Sequence, residues 1–174
     1  MKSLIAIFGL AVALGVETAS AQWTFQATLL GSNEVGPNAS PGTGFGTVVL
    51  SADQTQITVN ESWSGLTAPA TASHIHGPAA VGVNAPVLFP FSGVLAATSG
   101  SIPQQTFTNL SALQVSYLFN GLLYMNVHSS TFPGGEIRGQ LFLVPEPSTL
   151  ALVGLGSGAI ALRAYRKRAK RLQT

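Results

Sequence analysis

From residue 22 to residue 143 the chain runs in short apolar–polar alternations rich in β-branched residues, each closed by a cluster of Gly, Pro, Asn or Ser. A period of two predicts strands, because successive side chains of an extended chain point to opposite faces. Seven strands are predicted, over 23–30, 46–52, 56–63, 70–76, 86–89, 122–129 and 136–143. One segment changes to helical spacing, 111–120. Ser111 is placed to cap it, Leu110, Leu113 and Tyr117 fall on one stripe, and Gly121 suits a left-handed stop. The body of 122 residues is long enough to bury a core unaided. Seven short strands joined by such loops predict an all-β fold, a sandwich or barrel of Greek-key type with one short helix.

The two ends break this pattern. Lys2 is followed by an apolar run over 4–16 and then by Ala19 and Ala21, small residues at the positions a signal peptidase reads. Residues 1–21 are therefore expected to be a secretory signal helix, cleaved before Gln22. At the other end come Val144-Pro145-Glu146-Pro147-Ser148, an apolar run of 14 residues over 149–162, and a basic cluster. Fourteen helical residues rise about 21 Å, short of a hydrocarbon core of about 30 Å. Tyr165 at the interface and the snorkelling stems of Arg163 and Arg166 extend the span, giving an expected membrane helix over about 149–165 with a cytoplasmic basic tail over 163–171. The ending 144–174 resembles the PEP-CTERM sorting signal of exopolysaccharide-secreting bacteria, with the Pro145-Glu146-Pro147 motif, the short span and the Arg/Lys cluster in order. The resemblance implies recognition by an exosortase at the inner membrane, transient anchoring, removal of the tail near that motif, and delivery to the cell surface or extracellular matrix.

Charge sharpens the picture. The formal net charge is +2, but six of the eight basic residues lie in the tail, at Arg163, Arg166, Lys167, Arg168, Lys170 and Arg171. Between Gln22 and Pro147 only Arg138 is basic, against Glu34, Asp53, Glu61, Glu136 and Glu146. Such a body has no basic surface to neutralise phosphates, so nucleic acid is excluded as a partner. The absence of cysteine excludes disulfides, thiolate metal sites, thiol catalysis and blue-copper chemistry.

Three blocks of the body resemble one family, the CHRD domain first described in chordin. They are Gly31-Ser-Asn-Glu-Val-Gly-Pro37, His74-Ile-His-Gly-Pro-Ala79, and Leu123-Tyr-Met-Asn-Val-His-Ser129 leading into Phe132-Pro-Gly-Gly-Glu-Ile-Arg-Gly-Gln-Leu141. The resemblance spans 23–143 and implies an immunoglobulin-like β-sandwich over 22–143 with no established enzymatic activity.

The three histidines, His74, His76 and His128, all fall in those blocks. His74 and His76 are two apart on one strand and project together. If 122–129 and 136–143 pair around Pro133-Gly134-Gly135, Tyr124, Asn126 and His128 face one way, close to Glu136, Arg138 and Gln140. The favoured reading is a structural polar network of Glu34, Asn126, Glu136, Arg138 and the histidines that pins the 77–86 loop and the 130–135 turn, without a cofactor. Arg138 is expected to pair with Glu34 or Glu136. The alternative is a zinc or copper site on His74, His76 and His128, with Glu136 orienting or completing it. No Ser-His-Asp set is evident, Asp53 being the single aspartate, and no spacing pairs two carboxylates for glycoside hydrolysis. The expected protein is thus not an enzyme. It is an exported structural or adhesive protein associated with exopolysaccharide, the alternatives being a metal-binding protein or metalloenzyme and an extracellular protein-binding module.

Overall fold

The structure, a computed structural model, describes residues 22–145 and Arg163. The expected signal helix, Glu146, Pro147 and the expected membrane span with its basic tail fall outside the described residues, Arg163 excepted. Among the described residues no helix is long and apolar enough to cross a membrane.

Among the described residues ten strands form in chain order: β1 (Trp23–Leu30), β2 (Thr43–Leu50), β3 (Gln56–Ser64), β4 (Ala70–His76), β5 (Val87–Pro90), β6 (Gly100–Ser101), β7 (Gln105–Thr108), β8 (Tyr124–Ser129), β9 (Ile137–Gln140) and β10 (Phe142–Val144). An α-helix, α1 (Ala112–Phe119), separates β7 from β8, and a 3-10 turn covers Gly31–Asn33. The strands run in one antiparallel, curled path, β5-β4-β8-β9-β1-β2-β3-β6, with β10 also on β1 and β7 also on β3. The path narrows at one place. β1 and β2 pair over eight positions, whereas β1 and β9 share only the Leu30–Arg138 pair. The sheet folds over at that join, so β5-β4-β8-β9 and β10-β1-β2-β3-β7 lay their inner faces on one core. Phe25, Leu29, Val48, Val59 and Trp63 from one half meet Ile75, Met125, Val127 and Ile137 from the other. At the far edge Gln105 of β7 brackets Ser92 beyond β5, accepting from its backbone N (3.0 Å) and donating to its O (2.9 Å).

The helix begins as the sequence predicts. Ser111 and Gln114 form a reciprocal capping box, and Gly121 follows the last turn at φ +64°. Its buried face differs from the expected stripe: Val115 and Leu118 enter the core, Leu110 and Tyr117 flank it, and Leu113 is exposed. The expected last strand over 136–143 is two strands. β9 pairs with β8, and the chain then crosses at Leu141 so that β10 pairs with β1. β2 begins three residues earlier than expected, and β6, β7 and β10 are additional. These are short strands held by the longer neighbours they pair with rather than by their own patterning.

Candidate functional site

β4, β8 and β9 place every second side chain in the core: Ser73 and Ile75, Met125 and Val127, Ile137. The alternate side chains would ordinarily face water. Here the 77–86 loop, the 31–41 segment and the 130–135 turn roof that face, and a second, polar layer is buried beneath them. His74, His76, Tyr124, Asn126, His128, Arg138 and Gln140 all lie in it.

The cross-strand register sets the neighbours. Tyr124 of β8 stands opposite His76 of β4 and Gln140 of β9, and Asn126 stands between His74 and Arg138. His128 lies opposite Ala72, diagonal to His74. The three imidazoles therefore converge, with ring centroids 4.9 Å apart for His74–His128, 5.4 Å for His74–His76 and 5.9 Å for His76–His128. One nitrogen from each ring lies within 4.8 Å of the other two.

Their protons follow from the acceptors around them. A carbonyl only accepts, so His76 Nδ1 donates to Ala85 O (2.9 Å) and His128 Nδ1 donates to Pro133 O (2.9 Å). In a neutral ring the other nitrogen is then a bare acceptor. His128 Nε2 accepts from His74 Nδ1 at 3.1 Å, while His76 Nε2 is buried with no hydrogen-bond partner. Burial holds all three histidines below their ordinary range. His74 is brought down to about 4, first by burial and then by its two histidine neighbours. Each ring is thus uncharged at neutral pH; backbone carbonyls fix the orientation of His76 and His128, and His128 in turn holds His74.

The rest of the layer is held mainly by hydrogen bonds to the roof, Asn126 Oδ1 being buried without a partner. Arg138 does not pair with a carboxylate as expected. Its guanidinium lies 3.4 Å from the centroid of the Tyr124 ring and donates to Asn84 Oδ1 (3.1 Å) and Val83 O (2.7 Å). Among the described residues it forms no ion pair with Glu34 or Glu136; β9 aims it across β8 toward the 77–86 loop, whereas those two carboxylates are engaged elsewhere. Asn126 Nδ2 donates to Glu34 Oε1 (2.6 Å), and burial pushes Glu34 up to about 7 despite the nearby Arg138 charge and the Asn126 bond. Glu136 Oε1 accepts from Ser40 Oγ (2.6 Å) and Thr67 N (2.6 Å), tying two loops together away from the histidines. Burial opposes ionisation of Glu136, but its hydrogen bonds with Ser129, Ser40 and Thr67 outweigh this and hold it below the usual carboxylate range. It neither orients nor completes the histidine cluster. Gln140 Nε2 ties down the loop through Ala79 O (2.9 Å) and Gly121 O (2.7 Å).

One buried acid escaped the sequence reading. Glu61 on β3 faces the core, 3% exposed, where its Oε2 meets the Ser73 hydroxyl and its Oε1 meets nothing. Desolvation pushes it up to about 8. The Ser73 hydroxyl has one proton and also lies 2.9 Å from Asn126 O. A protonated Glu61 satisfies both contacts, giving its proton to Ser73 Oγ while Ser73 donates to Asn126 O. The signal lay in the sequence. Ile57, Val59, Glu61 and Trp63 share one parity on β3, and all four are buried.

No curated protein and no solved structure matches the chain. The PEP-CTERM protein-sorting motif matches residues 143–168, which implies recognition by an exosortase and export toward the cell surface. The CHRD domain matches residues 25–141, a span holding most of β1, all of β2 through β9, the polar layer and the three histidines, and the chain therefore belongs to the CHRD-domain family.

Proposed function

We propose that the chain is a structural or adhesive protein of the cell surface or extracellular matrix. An exosortase removes its tail, and its β domain contacts exopolysaccharide without catalysing a reaction of its own. The observation that carries this reading is where the last described strand stops. The last strand pairs Leu143 with Phe25 and Val144 with Thr24, and Pro145, directly after it, is exposed. Cleavage at or beyond Pro145 leaves every strand pair among the described residues intact, so sorting delivers this β domain with its strands paired.

A cleft of about 340 Å³ lies where β1, β9 and β10 meet. Phe45 and Phe142 stand exposed on its walls, with Gln26, Asn33 and Gln140 among its polar lining. Apolar ring faces beside amides are the chemistry that stacks on sugar rings and hydrogen-bonds their hydroxyls. Affinity electrophoresis of the protein through gels containing the producing strain's own exopolysaccharide tests the reading. Retardation is expected, reduced about tenfold by the double substitution Phe45→Ala and Phe142→Ala. Free migration of the unaltered protein, or equal retardation of the variant, contradicts it.

A further inference from the structure

We infer that His74, His76 and His128 form a binding site for one divalent late-transition-metal ion, zinc or copper, with solvent completing the coordination. Three features of the cluster point to a ligand rather than to a self-contained network. The first is the unpartnered nitrogen. His76 Nε2 is buried and makes no hydrogen bond, while the opposite nitrogen of the same ring is committed to Ala85 O. A buried lone pair with nothing to receive it is the state a metal ligand needs and a structural histidine avoids.

The second is the outer support. His76 and His128 each donate from Nδ1 to a backbone carbonyl, Ala85 O and Pro133 O, which leaves Nε2 of both rings without a proton, that of His76 unpartnered and that of His128 accepting from His74. Metal-bound histidines are held in this way, the far N–H fixed by a carbonyl or carboxylate. The third is the spacing. Zinc–nitrogen bonds of about 2.0–2.1 Å in tetrahedral array put ligand nitrogens about 3.3 Å apart. His74 Nδ1 and His128 Nε2 lie 3.1 Å apart, and no pair in the trio exceeds 4.8 Å. In the metal-free site one shared proton bridges His74 and His128. A metal takes its place, and the His74 proton moves to the outer nitrogen of that ring.

The donor set selects the ion. Three neutral imidazoles with no carboxylate and no thiolate suit zinc and copper, and offer little to magnesium or calcium, which take oxygen ligands. Arg138 approaches Tyr124 from β9 while His76 stacks on it from β4 at 4.9 Å, so an aromatic ring stands between the cation and the site. His74 and His128 are only half-buried, which leaves an entry path from solvent.

The test uses the full chain, purified in detergent without a histidine tag, stripped with chelator and dialysed against ZnSO4, CuSO4 or MgCl2. The expected result is one equivalent of zinc or copper by elemental analysis and none of magnesium. The copper form should show couplings to imidazole nitrogens in its electron paramagnetic resonance spectrum. His74→Ala and His128→Ala remove half-buried rings, and circular dichroism melts identify folded variants. In these, affinity should fall at least a hundredfold and the nitrogen couplings should decrease. Less than a tenth of an equivalent bound to the unaltered protein overturns the proposal, and so does binding that both folded variants retain. Neither outcome bears on sorting or on sugar contact, which do not involve the histidines.

Discussion

Arg138 sits face-on to Tyr124, its guanidinium carbon 3.4 Å from the ring centroid, and this contact rather than an ion pair holds the one cation of the β domain. The fork of the same guanidinium reaches Asn84 and Val83, so one side chain ties β9 to β8 and to the roof above them. Arginine suits such a place because its planar, weakly hydrated head stacks and donates at once.

Arg138→Ala should cost about 3 kcal/mol, from losing hydrogen bonds made by a charged group and exposing the Tyr124 ring. For a domain of this size that is a fall of about 10 °C in Tm. Arg138→Lys should recover less than half, since an ammonium neither stacks flat nor forks. A thermal melt measures both, and a drop under about 2 °C in the alanine variant would contradict the arrangement.

Glu61 sets a pH dependence of definite sign. Its ordinary value of 4.5 is pushed up to about 8 in the fold. The folded state holds its proton after the unfolded chain has released it, so stability is full below pH 4.5 and is lost as pH rises toward 8. Glu34, raised to about 7, adds to the same slope. Glu61→Gln should match the parent at pH 4 and exceed it at pH 8 by on the order of 3 kcal/mol. Denaturant titrations at the two pH values measure this. Parallel curves would mean that Glu61 is ionised in the fold.

The roof of the polar layer depends on a missing side chain. Gly135 has φ +134°, and a Cβ there would lie 2.4 Å from Asn126 Nδ2 and 2.6 Å from Glu34 Oε1. Gly135→Ala should destabilise by about 2–3 kcal/mol through backbone strain and the broken Glu34–Asn126 pair. Its neighbour serves as control, because a Cβ on Gly134 meets nothing within 4 Å. Gly134→Ala should change stability by less than about 0.5 kcal/mol. Equal effects at the two glycines would remove Gly135 from this role.

Much of this architecture is legible in the residues, and what is not has physical causes. The helix cap at Ser111, the stop at Gly121 and the long strands β1, β3 and β4 follow from local chemistry and parity, which act over a few residues. The hairpin of β8 and β9 and the shared face of His74 and His76 follow from the same rule. The short strands β6 and β7 exist because β3 offers them an edge, and β10 because the chain crosses to β1 at Leu141. No local pattern encodes that. The partner of Arg138 is hidden in the sequence for a related reason. Counting acids points to Glu34 or Glu136, but the 77–86 loop folds over β8 and brings carbonyl and amide oxygens that the sequence does not place. Glu61 is the reverse case, readable from parity on β3 and passed over because a carboxylate is ordinarily assigned to the surface.

On the proposed function, the β domain is handed to the cell surface once its sorting tail is removed. Intact-mass spectrometry of the protein recovered from the surface fraction, in a strain with an active exosortase, tests it most directly. The expected mass corresponds to a chain that begins at Gln22 and ends near Pro145–Pro147, without the basic cluster of Arg163 to Arg171. Recovery of the full-length chain, Met1 to Thr174, from that fraction would contradict it.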